Sequence, residues 1–415
     1  MKLFTGVTLG CCLLASVSHG SDLVVEHRDE LIFDERLSLR QVVDTTFERY
    51  PNNALISAFQ EEVTALDQRS SSWIAGFPML YLQYIDDALI TDYGVSEIQS
   101  GYQMPLWMWG QREASQKVAD QARKSAEKYI HALKHEIAGL VRDTLWSLRL
   151  AENRLELARQ IYDVAEKLTA VVQRRVELGD LARADVLLAE SDQLEKKTIL
   201  VQAEAELMHA RKAYQNLTRM DRAPRRFDEP QSALKNLDER HPSMAAANAS
   251  VERAQAEVEF TRLSKQGNQP SVLLGTDSTS VDTQRTYGTG TNLVVQVPIG
   301  GDDWNAPQVA QSNLLLNEKI AQRETLWRQL EKALHEAQHN LEVDRVALTI
   351  AERRKSIAET QLDMSRIAFE AGEIALIDYL KIRSSAYAAI QDHAQRLILV
   401  QKDTAVYNQV VGVTP

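Results

Sequence analysis

Residues 111–178 read QREASQKVADQARKSAEKYIHALKHEIAGLVRDTLWSLRLAENRLELARQIYDVAEKLTAVVQRRVEL, and Gly179-Asp180 follows. The stretch has no proline and one glycine, Gly139. Apolar side chains recur about every 3.6 residues, from Val118, Ala122, Ala126, Ile130, Leu133, Ile137, Val141, Leu145 and Leu148 to Leu155, Ala158, Tyr162, Ala165, Leu168, Val172 and Val176. This is the period of a nearly straight α-helix, and at ~1.5 Å per residue it spans roughly 100 Å. No compact domain needs a rod of that length. The glycine ends it, and Asp180 opens a new start.

A second rod is predicted over residues 306–371. From residue 308 it lacks both proline and glycine, and it stops at Gly372. Asn305-Ala306-Pro307 supplies a cap and an early proline. The 415-residue chain carries a formal charge of −11, and no basic face stands out, which argues against a nucleic-acid partner. Residues 1–20 have the anatomy of a secretory signal: Lys2, an apolar core, then Ser18-His19-Gly20 before a cut. Cys11 and Cys12 both fall inside it, so the mature chain has no disulfide. A lipoprotein signal at Cys11 is the weaker reading, because the apolar run ahead of it is short and Thr8 stands where leucine is expected.

The same order of elements occurs twice. Residues 21–219 form a first repeat, with strands over 79–106, the long helix 111–178 and a return helix 183–219. Residues 220–240, with Pro224 and Pro230, form a junction. Residues 241–415 form a second repeat, with strands over 271–299, the long helix 306–371 and a return helix 375–410. Pro51 corresponds to Pro242 (191 residues on), Pro105 to Pro298, Gly179 to Gly372 and Asp185 to Asp378 (193 on in each case). Both strand pairs then lie at one end of the rods and both glycine turns at the other. Four alternating strands cannot close a barrel, and open edges are a hazard in water and forbidden in lipid. Several copies must therefore pool their strands. Tyr81, Tyr102, Trp107, Trp109 and Trp304 stand near the strand ends, as an aromatic belt would.

The layout resembles the TolC family of bacterial outer-membrane efflux proteins over essentially the whole mature chain. The resemblance is carried by PLWMWGQR (residues 105–112) and VPIG (297–300), where strands hand over to rods. The turn segments VELGDLARADVLLAE (176–190) and FEAGEIALIDYL (369–380) carry it too, through a duplicated G-x5-D-[VY]-L pattern. It implies a mainly α chain with a β-barrel contribution, assembled as a homotrimer. Twelve strands would cross the outer membrane in contact with its lipid, above a periplasmic α-barrel of twelve helices. It further implies a passive exit duct, without cofactor or catalysis, that meets a periplasmic adaptor and an inner-membrane pump of the RND type. The modest middle segment is similar to the branch that serves heavy-metal and cation pumps. A type I protein-secretion duct is the alternative within the class, and a periplasmic coiled-coil adaptor the alternative outside it.

The same resemblance places Asp378 at a pore constriction, with Lys381 within pairing reach one helical turn on. Ile374 stands where the family often has an arginine linking neighbouring chains. On the same resemblance Gly179, Leu181, Asp185, Leu188, Gly372, Ile374 and Leu376 form the tip turns, whose apolar residues would serve adaptor docking, packing between neighbouring hairpins, or both, while Pro105 and Pro298 mark the strand-to-helix junctions. His335-Glu336-Ala337-Gln338-His339 spells HExxH, the helix motif of metalloproteases. Glu359 lies roughly 30 Å down the same rod, so no third zinc ligand returns. Two surface histidines on a charged helix is the better reading, and the same holds for His131 and His135.

Overall fold

The computed structural model describes residues 30–91 and 93–415. The signal segment and both cysteines lie outside the described residues. The chain is mainly helical. In order it has β1 (Ile32–Asp34), α1 (Leu39–Arg49), α2 (Asn53–Ser71), β2 (Met79–Asp86), β3 (Val95–Pro105), α3 (Gln111–Glu177) and α4 (Arg183–Thr218). Then come β4 (Arg222–Pro224), α5 (Pro242–Ser264), β5 (Ser271–Val281), β6 (Gly288–Gln296), α6 (Asp302–Glu370) and α7 (Leu376–Val410).

The rods α3 and α6 run for 67 and 69 residues without interruption. They are not equivalent in packing. α3 is the centre of the molecule, flanked by α1, α2, α4, α5 and α7. Its Leu133, Ile137, Val141, Leu145, Trp146 and Leu148 are almost fully buried. They share a core with Val42 and Val43 of α1, Tyr214 of α4, Ala405 of α7, and Ala223 and Phe227 of the junction. Burying each such aliphatic side chain contributes ~1.5–3 kcal/mol. α6 is an edge helix that packs on α5 and α7. It leaves Val343, Val346, Ile350, Ile357 and Met364 each about half to two-thirds exposed (49–66%).

Three local expectations needed correction. α6 begins at Asp302, a turn earlier than Asn305-Ala306-Pro307 suggests. Gly301, at φ 102°, makes the cap, and Asp302 and Asp303 suit the positive end of the helix dipole. Asn305 is not the cap; its buried amide donates to the Thr261 and Arg262 carbonyls at the end of α5, at 3.0 and 3.1 Å. Alternation in residues 291–297 and the glycine-bearing polar stretch 282–290 suggest a strand that starts at Thr291, but β6 extends back to Gly288. The junction is also not wholly irregular, since β4 pairs in parallel with β1 in register Phe33↔Ala223. Three residues are too few for an alternating pattern to register in sequence.

The four longer strands form one antiparallel sheet in the order β2-β3-β5-β6. Its register carries Leu80↔Tyr102, Tyr102↔Leu274 and Leu274↔Leu293, so these four share one row on one face. The next row puts Tyr81, Gly101, Gly275 and Asn292 together on the other face.

Candidate functional site

At the far end of the rods the two glycine turns come together. Each ends its long helix in the same way. Gly179 (φ 82°) donates to the Val176 carbonyl at 3.1 Å, and Asp180 donates to Arg175 at 2.9 Å. Gly372 (φ 79°) donates to Phe369 at 3.1 Å, and Glu373 to Ala368 at 2.9 Å. A residue with a Cβ resists this left-handed conformation, which is why glycine stops both rods.

One apolar cluster joins the turns: Val172, Ala189, Phe369, Leu376, Tyr379 and Leu380, with Leu181, Leu188 and Ile374 packed against it. The Phe369 and Tyr379 rings stack at 5.1 Å. Leu376 is 2% exposed, so it is core between hairpins and offers no docking surface. The apolar groups left exposed at the tip are Leu178, Leu187 and Ile377. Beneath the cluster, Arg383 of α7 pairs with Asp192 of α4, and both are largely buried. This ion pair ties one hairpin to the other. Sequence reasoning missed it, because nothing local marks two charges on separate helices as partners.

The two turn acids have different jobs. The Asp185 carboxylate accepts from the Ala182 backbone N–H at 3.1 Å and caps α4. Asp378 instead faces Lys381, with Nζ–Oδ1 3.7 Å and both side chains more than half exposed. Of these two, Asp378 is the one that is exposed.

At the sheet end, the row Met104, Val272 and Val295 lies beside Leu80, Tyr102, Leu274 and Leu293, making an apolar band. Beyond it the same face turns to hydroxyls that bond to one another across strands, Ser100 to Thr276 at 3.0 Å and Ser278 to Thr289 at 2.9 Å. The opposite face is the more polar one, with Gln83, Glu97, Gln99, Gln103, Asp277, Asn292 and Gln296, although Met79, Ile85, Leu273 and Val294 also lie on it. Tyr102 lies on the apolar face as a belt residue should. Tyr81 does not: strand alternation puts it on the polar face, where its hydroxyl meets Gln83. Trp107 is half-buried, and its indole N–H donates to the Ser72 carbonyl at 3.0 Å, so it anchors the end of β3 to α2. Trp109 and Trp304 are exposed at 97% and 77%. Pro105 pairs with Ser271 at the last register position of β3, and Pro298 lies past the end of β6.

Midway along the rods a buried polar knot fastens α3 to the C-terminal segment. Arg142, 3% exposed, donates two N–H groups to the Glu229 carboxylate at 2.6 and 2.7 Å. A third N–H goes to the Val413 carbonyl at 3.1 Å. Arg142 also donates to Gln409 Oε1, which fixes the amide so that its Nε2 faces His135. That Nε2 donates to the His135 carbonyl at 2.8 Å and lies 3.1 Å from the ring Nε2. A Cβ on Gly139 would come within 2.9 Å of the same amide, which accounts for the one glycine in the rod.

Burial holds the His135 imidazole neutral, with its pKa lowered to about 4; the neighbouring His241 and Arg142 push the same way. Protonation would set an N–H against the Gln409 amide hydrogens. The native state therefore binds the proton less well than the unfolded chain, whose histidine titrates at about 6.5. The stability involved is fully present above pH about 6.5 and is lost as pH falls toward about 4, about 3 kcal/mol per chain. Thermal unfolding of detergent-solubilised protein from pH 7 to 4 is expected to show this decline. A His135→Gln variant should lose most of the slope.

Among the described residues, no group of three or more His, Cys, Asp or Glu is placed to hold a metal ion. No described helix is long and apolar enough to cross a membrane. His335 and His339 are both exposed on α6, with ring centroids 6.4 Å apart.

No protein-family model matches the chain. It is 27% identical over 318 residues to the cobalt-zinc-cadmium resistance protein CzcC of Cupriavidus metallidurans, covering 72% of this chain and 74% of that one. Its fold is that of the CmeC outer membrane channel of Campylobacter jejuni (TM-score 0.72, 14% identity, 90% of this chain and 85% of that one). It is equally that of the MtrE outer membrane channel of Neisseria gonorrhoeae, solved in its open state (TM-score 0.67, 15% identity, 99% and 98% covered).

Proposed function

We infer that this chain, a TolC-like outer-membrane channel by fold, is the outer-membrane exit duct of a tripartite efflux system. The observation that carries this reading is the sheet: four strands with an apolar and a polar face, and with β2 and β6 as open edges. A sheet with lipid on one side and water on the other needs that division, and its edges need partners of the same kind. Three copies would supply twelve strands and close the wall. The rods, doubled back at glycine turns, then form the periplasmic extension. The duct is passive; an inner-membrane pump, of the RND type, and a periplasmic adaptor supply energy and cargo. Likeness to a cobalt-zinc-cadmium resistance protein favours metal cations as cargo over secreted protein. Two rod hairpins, each paired with strands, also differ from an adaptor's single hairpin.

The tip is the inner mouth. Leu178, Leu187 and Ile377 offer an adaptor its apolar contact. Three Asp378 carboxylates around a narrow opening would gather cations and repel one another, while Lys381 moderates their field. Heat-modifiable trimers in outer-membrane fractions, and discrete conductance in planar bilayers, are the expected results for the wild type. A water-soluble monomer without conductance would refute the duct. For Asp378→Ala we expect single-channel conductance to rise on the order of twofold, because three shortened side chains widen the opening by more than the lost cation attraction lowers the current. Unchanged conductance would place the constriction elsewhere.

A further inference from the structure

We propose that His335 and His339 form a two-imidazole site for a divalent transition-metal ion on the wall of α6. The residues are one helical turn apart, so their side chains leave the same face. Both are exposed, and their rings lie 6.4 Å apart, within 24° of parallel. Among the described residues neither imidazole has a hydrogen-bond partner, and their ring contact is with each other. Both rings are thus free to turn toward one ion at the ~2.0–2.1 Å that metal–imidazole bonds require. Ala337 and Leu341 between and beyond them pack into the core with Tyr407 and Val411, which keeps the helix rigid under the site.

The surroundings suit a cation. Glu331 precedes His335 by one turn, and the Trp327 indole N–H donates to its Oε1 at 2.8 Å, steadying the carboxylate and leaving Oε2 available. Glu342 is exposed one turn beyond His339. Imidazole selects zinc, copper, cobalt or nickel over magnesium and calcium, which take oxygen ligands. The pair His131 and His135 shows that spacing alone is not enough. There His135 is buried and bound to Gln409, so the two rings cannot share an ion. With two nitrogens and open positions filled by water, the site holds an ion loosely and releases it. As a contact for exported cargo the site rests on the duct reading; as a binding site it does not.

Untagged full-length protein in detergent is titrated with Cu2+ and followed by electron paramagnetic resonance, with Zn2+ as competitor. One Cu2+ per chain with two imidazole nitrogens is expected. His335→Gln and His339→Gln should each lose one nitrogen and weaken binding roughly tenfold or more. The double variant should lose the site, and His131→Gln should keep it. Wild-type protein that takes up no Cu2+, or a double variant with unchanged stoichiometry and spectrum, would overturn the proposal. Bilayer conductance is measured on the same samples. Conductance without metal binding sinks the site and leaves the duct standing; metal binding without conductance does the reverse.

Discussion

Leu293→Arg is expected to abolish assembly in the outer membrane, whereas Asn292→Arg, one position earlier, is expected to assemble normally. Leu293 shares its row with Leu80, Tyr102 and Leu274 on the apolar face. Its side chain is 65% exposed in the single chain. In a closed wall that exposure is exposure to lipid. Arginine there costs about 2 kcal/mol per chain, more toward the bilayer centre, and a trimer incurs it three times. Asn292 sits on the polar face beside Gly275. On the duct reading an arginine at that position projects into a water-filled bore, where it should lower cation conductance and leave folding intact. Comparing outer-membrane trimer yield for the two variants is a direct test, because strand alternation makes neighbours into opposites. Equal yields would mean that neither face meets lipid.

The second large effect is expected at Arg142. Arg142→Leu removes the cation from a buried carboxylate, Glu229, which is 14% exposed. Breaking such a pair from one side costs ~3–5 kcal/mol, because the remaining charge has neither water nor partner. The Arg142→Leu, Glu229→Leu double variant should recover most of that loss in thermal unfolding. A double variant as unstable as the single one would mean that the knot acts through Gln409 and Val413 rather than through charge. Loss of Arg142 also frees the Gln409 amide and removes a nearby positive charge from His135. The acid-induced loss of stability should therefore become shallower in Arg142→Leu, tying this result to the pH profile of the wild type.

Much of the architecture could be read from the chain by itself, and the reason is locality. A run near 3.6 in period, a glycine that alone tolerates positive φ, and alternating strands between turns are all written within a few residues of where they act. They gave two rods, two turns at one end and strands at the other, and the repeat in register made the pairing of halves legible. Sequence could not say which rod is central. α3 and α6 are near twins in length and each holds a single breaker residue, Gly139 and Pro307, yet one is surrounded and the other is an edge, because burial depends on neighbours supplied from far along the chain. Nor could it place Tyr81, Leu376 or Trp107. Their residue types suit a belt or a docking face, but register, hairpin packing and one indole hydrogen bond assign them elsewhere. Gly139 looked like a blemish in a rod until Gln409, 270 residues later, was seen lying against it. Local pattern decided the elements; contacts across hundreds of residues decided which surface of each element is core and which is left exposed.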